Sequence, residues 1–171
     1  SPIVNDLSLL LGEDTVVVTL QNGIPWWYFQ NFEGKHSGKV VESVDPGGVL
    51  FHNMDPDRII GCIAYPATTI EEPGVIKHIE GNRFPVGELN GQETERVQRV
   101  SELFTEAGFR ARILDDIRSE IWLKLWGNLT FNPISALTHS TLVDICQFDL
   151  TRDLVAKMMK EAQVVGESLG A

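Results

Sequence analysis

The sequence predicts an α/β protein in two parts, a sheet-rich segment over residues 1–114 and the start of a helical segment over 115–171. Three observations predict it. The run TVVVTL is β-branched and apolar without alternation, the mark of a strand buried on both faces of a parallel sheet. Between about Val40 and Leu89, short strand-like pieces are separated by DPGG, NMDPD, EEPG and GN, all turn chemistry. From about Asp115 onward the apolar spacing is helical.

The elements follow in order. Ser1-Pro2 before IVNDLSLLL reads as an N-cap, a proline at the first helical position and an apolar helix face ended by Gly12. TVVVTL is then a buried strand closed at its carboxyl end by Asn22-Gly23. WWYFQNF, after Pro25, is expected as a short helix. VVESV, GVLFH, RIIGCIAYPATTI, GVIKHIEG and RFPVGEL extend the sheet by mixed or antiparallel strands. ETERVQRVSELFTEAGF is an amphipathic helix with Val97, Val100, Leu103 and Phe104 on one face and Gly108 as its stop. RARILDD reads as a short strand and crossover.

Residues 116–138 form one long apolar helix, bent or interrupted near Pro133. A second helix runs from about Thr151 to Leu169, with Leu154, Met158, Ala162, Val165 and Leu169 on one side. Two helices with broad apolar faces require partner helices to bury them. The sheet-rich part opens on a crossover helix with a single parallel core strand, so a segment cut at both ends is expected. There is no internal repeat and no low-complexity tract.

Composition narrows the function. The net charge is −10 and the Lys and Arg residues are scattered, which argues against nucleic acid or an anionic membrane as partner. No apolar run is long enough to cross a bilayer. The two cysteines, Cys62 and Cys146, and the four histidines are dispersed, so buried thiols in a reducing cytoplasm are expected and no metal site is assigned.

The stretch IWLKLWGNLTFNP carries the strongest chemical signal. Lys124, Asn128 and Asn132 are four residues apart, and each such step advances only about 40° around a helix, so they form one slowly drifting stripe. The rest of that surface is Trp, Leu and Phe. A buried, unpaired ammonium costs several kcal/mol or shifts its pKa down, so the stripe faces a polar partner, a cleft or a ligand. A lysine snorkelling to solvent beside two capping amides satisfies the residues equally well. Pro133 also deprives the Leu129 carbonyl of its helical donor.

A second feature is LQNG, residues 20–23. In open α/β sheets ligands bind outside the carboxyl ends of strands, where Asn22 could bond a cofactor or substrate. Taken alone, a plain Asn-Gly turn is the simpler reading. No G-x-G-x-x-G, G-x-S-x-G, Walker or H-E-x-x-H motif occurs. Asp115, Asp116 and Glu120 fit capping of a helix start.

LQNGI, then AYPATTIEEPGVIKHIEGNRFPVGEL, then ILDDIRSEIWLKLWGNLTFNPISAL resemble the ketopantoate reductases (2-dehydropantoate 2-reductases) in order and in motif. The string W-x-K-x-x-x-N-x-x-x-N-P is the most specific part, and the likeness covers nearly the whole chain. The resemblance implies the C-terminal portion of a Rossmann-type NAD(P)-binding domain over 1–114. It implies the first part of an all-helical substrate and dimerisation domain over 115–171. It implies NADPH-dependent reduction of ketopantoate to pantoate in a cytoplasmic enzyme that allows a homodimer. By the same resemblance Lys124 is the general acid, Asn128 and Asn132 contact substrate, and Asn22 lies by the nicotinamide of NADPH.

The family's Gly-rich cofactor turn, and the later helices that supply a serine and a glutamate to the substrate, have no counterpart in these residues. The chain alone is therefore expected to be inactive. Two other readings stand beside this one: a related reductase of another 2-keto acid, and a non-enzymatic helical module that self-associates through its apolar faces.

Overall fold

The computed structural model describes residues 4–7 and 9–171, and the expected cap and proline at Ser1-Pro2 lie outside them. The chain divides into two compact units, residues 1–117 and 118–171. The first holds α1 (Val4–Leu7), β1 (Val17–Thr19), α2 (Val49–Asn53), β2 (Ile59–Cys62), β3 (Ala67–Glu72), β4 (Val75–Glu80), β5 (Val86–Glu88) and α3 (Glu95–Glu106). The second is built from α4 (Ile117–Thr138), whose first residue falls in unit one, with α5 (Leu142–Gln147) and α6 (Asp149–Ser168).

β2 is the central strand of unit one. It pairs in parallel with β1, Val17 opposite Ile59 and Thr19 opposite Gly61. It pairs antiparallel with β5, Cys62 opposite Val86. Every residue of β2 is buried, as an apolar IIGC run between two neighbours requires. β1 is only half-buried, less than its sequence implied, because among the described residues only β2 pairs with it.

One face of this sheet forms the core. Ile60, Cys62 and Val86 pack with Val97 of α3, and Val16, Val18, Phe84, Val100 and Ile113 close around them. Leu103 does not share that face as expected; it is 48% exposed, whereas Phe104, also expected there, meets Phe84 with ring centroids 5.5 Å apart. The other face is kept flat by glycine. A Cβ on Gly61 would stand 2.8 Å from Ile117 Cγ1 and 3.0 Å from the Trp27 ring, closer than packed atoms approach.

A buried ion pair ties β5 to α3. Glu88, 3% exposed, accepts from Thr94 Oγ1 at 2.5 Å and Arg96 Nε at 2.7 Å, and pairs again with Arg96 Nη2. The same guanidinium donates to the Asp57 carbonyl. The bond to Glu88 raises the Arg96 pKa above its ordinary value.

Several local expectations are overturned. WWYFQNF is not a helix; i-to-i+3 bonds such as Gln30 N to Trp27 O at 2.8 Å make consecutive turns. Residues 25–28 are all buried, and a helix bordering solvent cannot bury four successive positions spaced about 100° apart. VVESV is a turn rather than a strand, and GVLFH becomes α2. The reason is Asp45, 2% exposed, whose carboxylate accepts from the amides of Leu50 and Phe51 at 3.0 and 2.8 Å and starts a helix there. The β3–β4 pair does not extend the main sheet but forms its own two-stranded hairpin. RARILDD forms no strand of its own; it lies against β5 through the isolated parallel bridges Arg83–Arg110 and Val86–Ile113.

In unit two, α4 runs unbroken through Pro133 instead of being interrupted there. α5 was not foreseen, although Thr141 and Asp144 form a capping box at its start. The Thr141 side chain and amide hold the Asp144 carboxyl below its usual range. Ile134, Ile145 and Val155 form the core between the helices, with Phe131, Met158 and Met159 against it. The buried side of α6 is therefore Val155, Ala162 and Gly166, while the expected Leu154 and Val165 are 47% and 49% exposed.

Candidate active site

The Asn22-Gly23 turn follows the carboxyl end of β1, beside the parallel strand β2. Asn22 is exposed, and Gly23 holds φ at 78° with no atom other than those of its chain neighbours within 4 Å of where its Cβ would be. Open space at a positive-φ glycine lets a flat group approach the backbone closely. Behind the turn, the Trp27 indole N–H donates to Thr19 Oγ1 at 3.0 Å, so the loop carrying Asn22 is closed onto the strand it leaves. Sequence reasoning missed this clasp, since nothing in the spacing of Thr19 and Trp27 shows that they meet.

In unit two, α4 carries the lysine stripe. Lys124 and Asn128 are half-buried and Asn132 is exposed. Ile117 and Ile121, both buried, lie on the same side of the helix as Lys124 and Asn128. The opposite side, about 160–200° around, holds Trp122 and Trp126. That side is taken by α6: a Cβ on Gly166 would come 3.2 Å from Trp122 Cδ2. A groove of about 180 Å³ between these helices is lined by Trp122, Trp126, Gln163 and Glu167 among others. The tryptophan contact thus fixes the rotation of α4 and turns Lys124 away from α6.

Gly166→Val should show this dependence. Its branched side chain would push against Trp122, and stability should fall by about 1–3 kcal/mol in urea unfolding followed by tryptophan fluorescence. An unchanged midpoint would mean that the helices part freely.

Thr130 lies fully buried on α4 and donates to the Trp126 carbonyl at 2.5 Å. With Pro133 one turn further on, the Leu129 carbonyl lacks its helical donor, so this stretch of α4 holds more polar backbone than an ordinary helix interior.

The arrangement defines a class: an α/β sheet with a polar turn beyond its parallel strand ends, and a helical unit presenting a half-buried lysine with two amides. Residues 116–171 match the family model described as the C-terminal part of the ketopantoate reductases PanE/ApbA. The 2-dehydropantoate 2-reductase of Mesorhizobium japonicum is 51% identical over 170 residues, 99% of this chain and 52% of that protein. A crystal structure assigned as a ketopantoate reductase from Ralstonia solanacearum superposes with a TM-score of 0.92 at 33% identity, covering 99% of this chain and 54% of that one. D-mandelate dehydrogenase in complex with NADH superposes with a TM-score of 0.77 over 98% of this chain and 49% of that one, at 18% identity, a likeness of fold alone.

The chain belongs to the ketopantoate reductase family. Its α/β part has the fold of the carboxyl portion of a Rossmann-type domain, followed by a helical part. The chain spans about half the length of the curated relative that it matches at 51% identity.

Proposed function

We propose that the whole protein reduces 2-dehydropantoate to pantoate with NADPH, in the cytoplasm and as a homodimer. The observation that carries this reading is the 51% identity to a 2-dehydropantoate 2-reductase along 99% of the chain. Residues 1–114 are read as the remainder of the NADP-binding domain and 115–171 as the first part of the substrate and dimerisation domain. Among the described residues, no helix is long and apolar enough to cross a membrane.

The exposed amide of Asn22 and the open space at Gly23 fit a nicotinamide beside the turn. NADPH, when bound, supplies the hydride. Reduction places negative charge on the keto oxygen. The Lys124 ammonium polarises that oxygen and donates the proton that completes the hydroxyl. Asn128 and Asn132 hold hydroxyl or carboxylate oxygens of the small acid through their amide N–H groups. Ile117 and Ile121, buried on the same side of α4 as Lys124, lower the local dielectric and strengthen the lysine contact.

The G-x-G-x-x-G turn that cradles the cofactor phosphates does not occur in these 171 residues. The chain alone should therefore fail to oxidise NADPH in the presence of ketopantoate, whereas the whole protein should do so. A panel of 2-keto acids assayed with the whole protein checks the substrate. Preference for another acid would replace ketopantoate, and no turnover with any of them would favour a self-association module instead.

A further inference from the structure

The reduction chemistry leaves one charged feature of unit one unused. Three segments lie side by side past the carboxyl end of β2. Tyr65 N donates to Arg83 O at 3.1 Å, Arg110 N to Asn82 O at 2.8 Å, and Phe84 N to Arg110 O at 2.8 Å. Arg83 and Arg110 are bridge partners, so Tyr65, Arg83 and Arg110 form a row across the sheet with their side chains on one face. Arg112, two residues on from Arg110, shares that face. The intervening Phe84 points the other way, into Phe104 and Phe109, the latter at 4.9 Å, which holds the arginine row out toward solvent.

All three arginines are exposed. The Arg83 guanidinium carbon sits 4.1 Å from the Tyr65 ring centroid. Stacking fixes the plane of the guanidinium and leaves its N–H edges free to donate. Like charges directly opposite on neighbouring segments are destabilising. The chain carries 24 acidic against 14 basic side chains, so carboxylates were plentiful. Yet none of these three arginines makes an ion pair among the described residues.

We propose that the Tyr65–Arg83–Arg110 row is an anion-binding site for a small ligand bearing a carboxylate or a phosphate group. Arg83, pre-oriented on Tyr65, supplies a bidentate fork, and Arg110 with Arg112 supplies the neighbouring charge. The position, beyond a strand's carboxyl end, is where open α/β sheets take ligands. The bound anion offsets the repulsion that the row otherwise carries. This inference does not depend on the reductase reading, because it uses no residue of the lysine stripe.

The test uses the 171-residue chain, isotope-labelled for amide NMR and titrated with sodium phosphate and separately with sodium acetate, each against sodium chloride at equal ionic strength. Saturable shifts at Tyr65, Phe84 and Arg110 are expected with at least one of the two anions, and which one responds identifies the ligand group. Arg83→Met should weaken that binding by about tenfold or more, the loss of a charge-assisted bond. Arg83→Lys, which keeps the charge and loses the fork, should also weaken it and decides the matter if the Met variant does not fold. Shifts that merely follow chloride, or a folded Arg83 variant that binds as well as the parent, would overturn the proposal.

Discussion

Lys124→Ala in the whole protein should lower kcat by about 10²–10⁴-fold, the usual contribution of a positioned general acid, while NADPH binding stays nearly unchanged. The reasoning starts from the helix. α4 is apolar on most of its surface, and its tryptophan side is closed by Gly166 of α6. Lys124 is half-buried on the other side, beside Asn128. Alanine therefore removes both the charge that stabilises the developing alkoxide and the proton that it needs.

Lys124→Arg separates the two roles. It keeps a cation but does not give up a proton near neutral pH, so kcat should stay low. Steady-state kinetics with an independent NADPH titration checks both variants. Turnover equal to the parent in Lys124→Ala would reject the acid role.

Arg96→Met should destabilise the chain by about 3–5 kcal/mol, because it strands the Glu88 carboxylate in the interior. Glu88 is 3% exposed and relies on Arg96 and Thr94 for its hydrogen bonds. The same arginine also reaches the Asp57 and Ile59 carbonyls, so its loss loosens α3 and the entry to β2 together. Urea unfolding monitored by circular dichroism measures the loss. The double variant Glu88→Gln with Arg96→Met should recover part of it, since no buried charge then lacks its partner. A double variant as unstable as the sum of the two single ones would show that the residues do not act as a pair.

Much of this protein was legible before any coordinates. TVVVTL, the helix ended by Gly108 and the long apolar helix from about 116 each carry a pattern that local chemistry settles: β-branched residues, a positive-φ stop and helical apolar spacing. The errors fell where local pattern and tertiary demand part company. GVLFH has a strand's composition, but the buried Asp45 carboxylate starts a helix there. WWYFQNF has a helix's length, but with Pro25 its first three residues make four successive buried positions and the chain turns instead. Ala162 is covered on α6 as expected, but Val155 and Gly166 are covered in place of Leu154 and Val165, because Leu154 and Val155 are equally apolar and only α4 and α5 decide which is covered.

The lysine stripe shows the same division. Its spacing on one side of a helix, and its resemblance to the ketopantoate reductases, are properties of the sequence. Steps of four along any helix bring Lys124, Asn128 and Asn132 into line whatever the rest of the chain does. Which way the stripe points is not such a property. That is decided by Trp122 against Gly166, residues more than forty positions apart. The arginine row is likewise invisible in sequence, since Tyr65, Arg83 and Arg110 become neighbours only through the register of three paired segments. Helical and strand periodicity are written by nearest neighbours along the chain, whereas orientation and cross-strand juxtaposition are set by contacts between residues that the sequence keeps far apart.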